Sequence, residues 1–166
     1  MSKNDSNLTV AIVQFLKNIY EIDLQLLKSQ GIKAIFFDLD STIMVSKSGE
    51  YQENTQKWLE EVNNDFFIAV ISNNKNVEYL EKVRNNSNFQ VIGAANKPSP
   101  KAMGKLLKEI NIQPNEAVIV GDRPLTDILA GKLLGAKTIL VGSINAENEG
   151  KATQFVRWLE KRFILE

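Results

Sequence analysis

The sequence predicts an α/β fold, a Rossmann-like three-layer α/β/α sandwich with a mostly parallel central sheet. Five apolar runs rich in β-branched or aromatic residues are continuous rather than alternating, as is typical of strands covered on both faces. Segments of helical length separate these runs. The chain has 166 residues, 43% of them apolar and 24% charged, which is enough to build one full hydrophobic core.

The predicted elements alternate along the chain. Strands are predicted over residues 33–38, 66–72, 90–95, 117–122 and 136–142. Helices are predicted over residues 53–63, 75–86, 99–110, 124–134 and 151–163. Because strand, helix and strand repeat in this order, the strands are expected to run parallel with helices on both sides of the sheet. No internal repeat, low-complexity tract or linker marks a boundary, so we expect a single domain over residues 1–166.

The segment before the first predicted strand, about residues 8–30, is predicted to be helical and to end at Gly31 as a C-cap. Two placements are open: packing on the sheet, or an amphipathic surface that meets a membrane interface. The start, MSKNDSN, carries an acid and lacks arginine, unlike a targeting peptide. No apolar run approaches the ~20 residues of a membrane-spanning helix. We therefore expect a cytoplasmic protein, with peripheral contact at the inner face of the membrane as an open alternative.

The composition excludes several kinds of chemistry. The chain has neither cysteine nor histidine, which rules out disulfides, thiolate or imidazole metal sites, and the serine–histidine–aspartate triad. Twenty basic and twenty acidic residues balance, so the overall charge that usually accompanies nucleic-acid binding is absent. We expect no nucleic-acid partner. Chemistry is left to carboxylates, hydroxyls, amines and backbone groups, with a hard cation such as Mg²⁺ as the natural metal.

Polar side chains concentrate where predicted strands end. FFDLD places Asp38 and Asp40 after the first strand, VISNN places Ser72 and Asn73 after the second, and Lys97 follows the third. The fourth strand runs into GDRPLTD. The groups of interest there are Asp122, Arg123 and Asp127. In open α/β sheets ligands bind at the carboxyl ends of the strands.

Each of these motifs also has a purely structural interpretation as a cap, a turn or a surface lysine. Their combination favours chemistry instead. Bringing Asp38, Asp40 and Asp122 to one edge costs Coulomb repulsion, and a divalent cation is the simplest compensation. Oxygen-only ligands favour Mg²⁺ over zinc. A lysine, a serine hydroxyl and backbone amides supply the positive charge and the donors that a phosphoryl group needs.

The order of these motifs resembles that of the haloacid dehalogenase superfamily. DLDST is similar to its first motif, Asp-x-Asp-x-Thr, ISNN to its second, Lys97 to its third, and GDRPLTD to its fourth. The second aspartate of the first motif is typical of the phosphatases in this superfamily. The resemblance therefore implies a phosphomonoester hydrolase that uses Mg²⁺.

The catalytic roles follow from that resemblance. It implies that Asp38 attacks phosphorus and forms an aspartyl-phosphate. Asp40 would protonate the leaving alcohol and then take a proton from the hydrolytic water. Mg²⁺ would be held by Asp38, the backbone carbonyl of Asp40 and Asp122, and Lys97 would balance the charge of the attacking and transferring groups.

Substrate-binding roles follow in the same way. Ser72 and the Asn73 amide would bind phosphoryl oxygens, and Thr42 would orient the phosphate-binding loop. Arg123 is open between a contact to phosphate or head group and a surface ion pair. Asp127 is expected to support the metal site or Lys97 rather than to act as a direct ligand.

The distances between the motifs, and the resemblance of the rest of the chain to one family, narrow the range of possible substrates. Neither residues 41–71 nor residues 73–96 leave room for a cap domain, so the site should be open. Residues 19–141 resemble the YqeG-like, phosphatidylglycerophosphate phosphatase family of subfamily IIIA, with departures at Ser41 and Pro124. The substrate implied is phosphatidylglycerophosphate, a phospholipid whose head group carries the terminal phosphate. A soluble sugar phosphate, nucleotide or phosphoprotein is the alternative, and a non-catalytic phosphate-binding module is a third. The oligomeric state is open.

Overall fold

Six parallel strands form the central sheet of this computed structural model, which describes residues 13–144 and residue 162. The strands are β1 (Val13–Leu16), β2 (Ala34–Phe37), β3 (Phe67–Ile71), β4 (Gln90–Ile92), β5 (Ala117–Gly121) and β6 (Lys137–Val141). Their order across the sheet is β1-β6-β5-β2-β3-β4, and every described pairing is parallel. The chain therefore leaves β2 toward β3 and later returns to its other side at β5. This reversal of order beside β2 creates the crevice where α/β sheets bind ligands.

Helices cover both faces of the sheet. They are α1 (Leu24–Ser29), α2 (Glu53–Asp65), α3 (Val77–Asn85), α4 (Lys101–Glu109) and α5 (Leu129–Leu134). Ile35 and Phe37 of β2 point into the core under α1, α2 and α3, whereas Ala34 and Phe36 point into the core under α4 and α5. All four β2 residues are fully buried, which explains the continuous rather than alternating apolar run. The three-layer sandwich is confirmed, and residues 13–144 contain no cap domain.

The helical prediction for residues 8–30 is wrong over Val13–Leu16, which form the edge strand β1. β1 pairs with β6 in the register Val13 to Thr138 through Leu16 to Val141, so sheet pairing overrides the local helical pattern. The rest of the segment holds a 3₁₀ turn at Ile19–Glu21 and the short helix α1. Gly31 does follow α1 with a φ of 76°, as a C-cap glycine should.

Other boundaries agree with the predictions to within a few residues, with two informative differences. The strand predicted over residues 90–95 is the shorter β4, because the chain turns after Ile92 with Ala94 and Asn96 at positive φ. The helix predicted over residues 124–134 begins as a π-helix, Pro124–Ile128, before α5. The helix predicted over residues 151–163 lies outside the described residues except for residue 162. No described helix has both the length and the apolar character needed to cross a bilayer.

Candidate active site

The turn after β2 brings Asp38, Asp40 and Thr42 to the carboxyl edge of the sheet. The backbone amide of Asp38 donates to Val120 of β5, which continues the sheet pairing one residue past the strand. Leu39 is fully buried between the two partly exposed aspartates. Ser41 has a φ of 69°, so the chain reverses there instead of continuing extended. Thr42 still reaches the site, because the turn folds it back toward Asp38.

Lys97 holds two carboxylates together at the centre of the site. Its ammonium nitrogen lies 2.6 Å from Asp38 Oδ1 and 2.6 Å from Asp127 Oδ1. The side chains of Lys97, Asp38 and Asp127 are 3%, 13% and 1% exposed. These ion pairs are therefore screened little by solvent, and Asp38 is the member of the three most open to a ligand.

Burial and charge shift the pKa values of this cluster. Burial, followed by the charge of Asp127, raises the pKa of Asp38 to about 6 even though Lys97 acts in the opposite direction. Burial also raises the pKa of Asp127, again against the effect of Lys97. For Lys97, burial favours the neutral amine, but the charges of Asp127 and Asp38 outweigh it and hold the pKa above its ordinary value. Lys97 therefore stays protonated.

Asp122 completes a group of three carboxylates that fits a hard cation. Oxygens of Asp38, Asp122 and Asp127 lie within 4.8 Å of one another. Thr42 donates its hydroxyl to Asp122 Oδ1 at 3.1 Å and more weakly to Asp38 Oδ2 at 3.4 Å. Three carboxylates beside one lysine give the cluster several oxygen atoms that could bind a cation. An all-oxygen donor set of this kind fits Mg²⁺.

Asp127 has partners of its own within this group. Its Oδ2 accepts the backbone amide of Arg123 at 3.1 Å, while its Oδ1 binds Lys97. The π-helix that starts at Pro124 places this carboxylate, since Asp127 lies within it and its amide donates to the Arg123 carbonyl. Arg123 itself has an exposed side chain.

Ser72 and Asn73 organise the loop that carries Lys97. Asn73 accepts the Lys97 amide at 2.7 Å and donates to the Lys97 carbonyl at 2.9 Å, so one side chain clamps the backbone of the lysine. The buried Ser72 hydroxyl accepts the Asn74 amide at 3.1 Å. The β3 and β4 loops are thus fixed to each other beside Asp38.

Asp40 is held from the opposite side, by residues that the sequence analysis did not single out. The Tyr79 hydroxyl donates to Asp40 Oδ1 at 2.7 Å and the Lys47 amide donates to the same oxygen at 3.2 Å. The Asn74 side-chain amide lies 3.5 Å from Oδ2. Tyr79 belongs to α3, and only the capping of that helix by Asn76 hints in the sequence at its position. Nothing in a linear motif connects it to Asp40.

The structure thus gathers most of the predicted site residues at one edge. Asp38, Lys97, Asp122 and Asp127 form the cluster with Thr42, while Asp40 stands next to it. Ser72 and Asn73 border Lys97, and Arg123 follows Asp122 with its side chain toward solvent. The metal contact predicted for Asp40 involves its backbone carbonyl, and its side chain is not part of the carboxylate trio.

Sequence comparison identifies relatives of this chain. A family model described as HAD-hydrolase-like matches residues 94–156. The protein named Probable phosphatase YqeG from Bacillus subtilis is 30% identical over 151 residues, covering 91% of this chain and 87% of that protein. Phosphatidylglycerophosphate phosphatase 1 of Arabidopsis thaliana is 27% identical over 154 residues, which cover 87% of this chain but only 44% of the relative.

A shorter match and a solved structure add to this. Glyceraldehyde 3-phosphate phosphatase from Pyrococcus furiosus is 49% identical over 43 residues, 26% of this chain and 18% of the relative. A haloacid dehalogenase-like hydrolase from Streptococcus pneumoniae superposes with a TM-score of 0.57 at 15% identity, over 69% of this chain and 88% of that one. The structural likeness supports the fold, and the YqeG match supports the family. This chain belongs to the subfamily IIIA phosphatases of the haloacid dehalogenase superfamily, in the branch that contains YqeG.

Proposed function

We propose that this protein is a Mg²⁺-dependent phosphomonoester hydrolase that acts through an aspartyl-phosphate on Asp38 and dephosphorylates phosphatidylglycerophosphate to phosphatidylglycerol. The observation that carries the proposal is the buried Asp38–Lys97–Asp127 ion pair set, with Asp122 alongside and Asp40 two residues away. Asp38 is the most exposed of these three side chains, and a carboxylate held beside a protonated lysine suits nucleophilic attack on an anionic ester.

The first half of the reaction uses Asp38 and Asp40. A carboxylate oxygen of Asp38 forms a bond to phosphorus while the bond from phosphorus to the ester oxygen breaks. The departing oxygen takes a proton from Asp40. Lys97 keeps Asp38 oriented through Oδ1 and offsets part of the negative charge that gathers around the phosphoryl group.

The second half returns the enzyme to its starting state. Asp40, now ionised, accepts a proton from water as the water oxygen attacks phosphorus and the bond to Asp38 breaks. Ser72 and the backbone amide of Asn73 bind phosphoryl oxygens. Thr42 orients Asp38 and Asp122 through its hydroxyl. Asp38, Asp122 and the Asp40 carbonyl would hold Mg²⁺, which supplies the positive charge that lets two anions approach.

A lipid substrate is supported by what surrounds the site. The residues that the structure describes form no cap over it. Three exposed apolar side chains lie on the segments that follow β2, β3 and β5: Val45, Val77 at the start of α3, and Leu125 in the π-helix. We call these three residues the apolar rim. Each lies two positions from an exposed cation; these cations are Lys47, Lys75 and Arg123. Apolar side chains beside cations suit an anionic membrane surface, and the Arabidopsis relative is named for this lipid phosphate.

The second candidate is a phosphatase for soluble esters. The Pyrococcus relative, whose name specifies glyceraldehyde 3-phosphate, supports this candidate, although the match covers only 43 residues. An open site also admits small substrates. Phosphoproteins and nucleotides belong to the same alternative.

A phosphate-release assay separates these candidates. Phosphatidylglycerophosphate in phosphatidylglycerol vesicles and a panel of soluble phosphoesters would be compared at matched Mg²⁺ concentrations, with Asp38→Asn and Asp40→Asn as controls. We expect preferential lipid turnover that Asp38→Asn abolishes. Efficient turnover of a soluble ester without lipid turnover would overturn the lipid assignment. Phosphate binding without turnover by the wild type would favour a binding module.

A further inference from the structure

Tyr79 is the strongest contact of Asp40 that the proposed reaction leaves unexplained. Its hydroxyl oxygen lies 2.7 Å from Asp40 Oδ1, the shortest described bond to that carboxylate. The tyrosine sits in the first turn of α3, where the Asn76 side chain caps its backbone amide. Its ring packs against the main hydrophobic core. The hydroxyl is therefore presented from a rigid element rather than from a loop.

The two carboxylate oxygens of Asp40 accept different sets of hydrogen bonds. Oδ1 receives both the Tyr79 hydroxyl and the Lys47 amide, whereas the one described contact of Oδ2 is the distant Asn74 amide at 3.5 Å. A proton on Oδ1 would compete with two donors. A proton on Oδ2 would not, so this arrangement reserves Oδ2 for proton exchange.

Tyr79 can hold this arrangement in both halves of the reaction. A tyrosine hydroxyl keeps its proton at neutral pH, and Tyr79 presents that hydroxyl to Asp40 Oδ1 at 2.7 Å. A tyrosine hydroxyl can donate to Oδ1 whether Oδ2 carries a proton or not. The same bond therefore persists when Asp40 is an acid and when it is a base.

We propose that Tyr79 is a positioning residue that fixes Asp40 through Oδ1 and leaves Oδ2 as the oxygen that exchanges protons with the leaving group and with water. The inference rests on the proposed phosphatase function. In the first step Asp40 Oδ2 gives its proton to the ester oxygen as the bond to phosphorus breaks. In the second step the same oxygen receives a proton from the attacking water. Tyr79 keeps its own proton throughout.

The test is leaving-group dependence, which a residue needed only for folding would not change. Full-length Tyr79→Phe would be assayed with Mg²⁺ on 4-nitrophenyl phosphate, whose leaving group needs little protonation, and on phenyl phosphate, whose leaving group needs more. The measured quantity is kcat/KM, because it reports the steps up to departure of the phenol. We expect about a tenfold loss on phenyl phosphate and less than about a threefold loss on 4-nitrophenyl phosphate.

Two comparisons sharpen the result. Tyr51→Phe is the matched control: Tyr51 is also partly buried, and its hydroxyl bonds Ser87, outside the site. We expect it to leave both rates unchanged. In an Asp40→Asn background, Tyr79→Phe should change kcat/KM on phenyl phosphate by less than about twofold, because a residue that acts through Asp40 has nothing left to act on.

Equal losses on the two esters, unchanged rates, or a full additional loss in the Asp40→Asn background would overturn the inference while leaving the phosphatase intact. Hydrolysis that survives Asp38→Asn, or no hydrolysis by the wild type, would overturn the proposed function and the inference together. Melting temperatures of Tyr79→Phe and Tyr51→Phe show whether the removal of one oxygen has also affected folding. A loss confined to phenyl phosphate in a fully folded Tyr79→Phe protein supports the proposal.

Discussion

At the scale of single residues, Lys97 is the buried cation of the site. It is 3% exposed and faces two carboxylates that are themselves largely buried. Ion pairs in water contribute little, but removing one partner of a buried set leaves uncompensated charge in a low-dielectric region. Lys97 therefore supports both the fold and the proposed chemistry.

Lys97→Met should be strongly destabilising. The side chain keeps its length but loses the cation, so Asp38 and Asp127 would face each other unpaired. We expect the free energy of unfolding at pH 7.5 to fall by about 3–5 kcal/mol, measured by urea denaturation, and phosphatase activity to be lost. The control is Lys28→Met, since the Lys28–Asp65 pair is 50% and 44% exposed and should contribute less than about 1 kcal/mol. Equal effects of the two variants would contradict the role assigned to Lys97.

Asp38 makes stability depend on pH in a defined direction. Its pKa is raised to about 6 by burial and by Asp127, whereas an unfolded aspartate has a pKa of about 3.9. Between these values the folded protein binds more protons than the unfolded chain. The stability associated with Asp38 is therefore complete below about pH 4 and is lost as pH rises through about 6.

Asp38→Asn removes the loss of stability that ionisation of the buried Asp38 carboxyl causes at neutral pH. In EDTA at pH 7.5, we expect the variant to be at least as stable as the wild type, although it is inactive. The difference in unfolding free energy between variant and wild type should shrink as the pH is lowered from 7.5 to 5. Urea denaturation at both pH values measures it. A variant that is less stable than the wild type at pH 7.5, with a deficit that narrows toward pH 5, would show the opposite sign.

At the scale of elements, the junction between β5 and the π-helix positions Asp127. Gly121 ends β5, and a Cβ added there would lie 2.3 Å from the Cγ and Oδ2 atoms of Asp127. The strand can pass this close to the carboxylate only because residue 121 has no side chain. The π-helix then turns Asp127 back toward Lys97.

Gly121→Ala should disturb this junction. The added methyl group would push the Asp127 carboxylate away from Lys97, lowering the free energy of unfolding by about 1–3 kcal/mol and activity by about 10- to 100-fold. Gly104→Ala in α4 is the control, because its Cβ would meet only Leu134 at 3.5 Å. That helical substitution should stabilise by about 0.5–1 kcal/mol. Thermal melts measure the changes in stability, and initial rates measure the changes in activity. A Gly121→Ala enzyme with wild-type activity would show that the Asp127 carboxylate can move without loss of function.

At the scale of the whole molecule, the apolar rim and the carboxylates of Asp38, Asp122 and Asp127 share one edge of the sheet. Val77→Ser and Leu125→Ser should each lower kcat/KM on vesicle-borne phosphatidylglycerophosphate by roughly fivefold, which corresponds to about 1 kcal/mol of lost apolar burial. Neither should change the rate on a soluble ester. Leu133→Ser is the control: Leu133 is 60% exposed but lies near the C-terminal end of α5, away from the site. Equal losses on lipid and soluble substrates would argue against docking by the rim.

Metal removal tests the carboxylate trio. Dialysis against EDTA should abolish activity, and Mg²⁺ should restore it, because Asp38 and Asp122 are the carboxylates proposed to hold the ion and their oxygens lie close together. Zn²⁺ should restore less, since the site offers oxygen ligands alone. Initial rates after titration with each metal measure the effect. Full activity in EDTA would be inconsistent with the proposed mechanism.

The sequence by itself determined the alternation of strands and helices from β2 to β6 and the edge at which the functional groups meet. Continuous apolar runs identify buried parallel strands, and parallel strands place their carboxyl ends together. The positions of Asp38, Ser72, Lys97 and Asp122 follow from these two facts. Local pattern and topology are enough for this much, since each residue lies next to a strand end.

Only the tertiary structure decided which atoms of these groups meet and what else joins them. Val13–Leu16 became a strand because β6 offers an open edge, which no local pattern reveals. Tyr79 reaches Asp40 across 39 positions of sequence, and Asn73 clamps Lys97 across 24. Side-chain contacts of this kind depend on the rotation of a helix and the path of a loop, both of which are set by packing over the whole core.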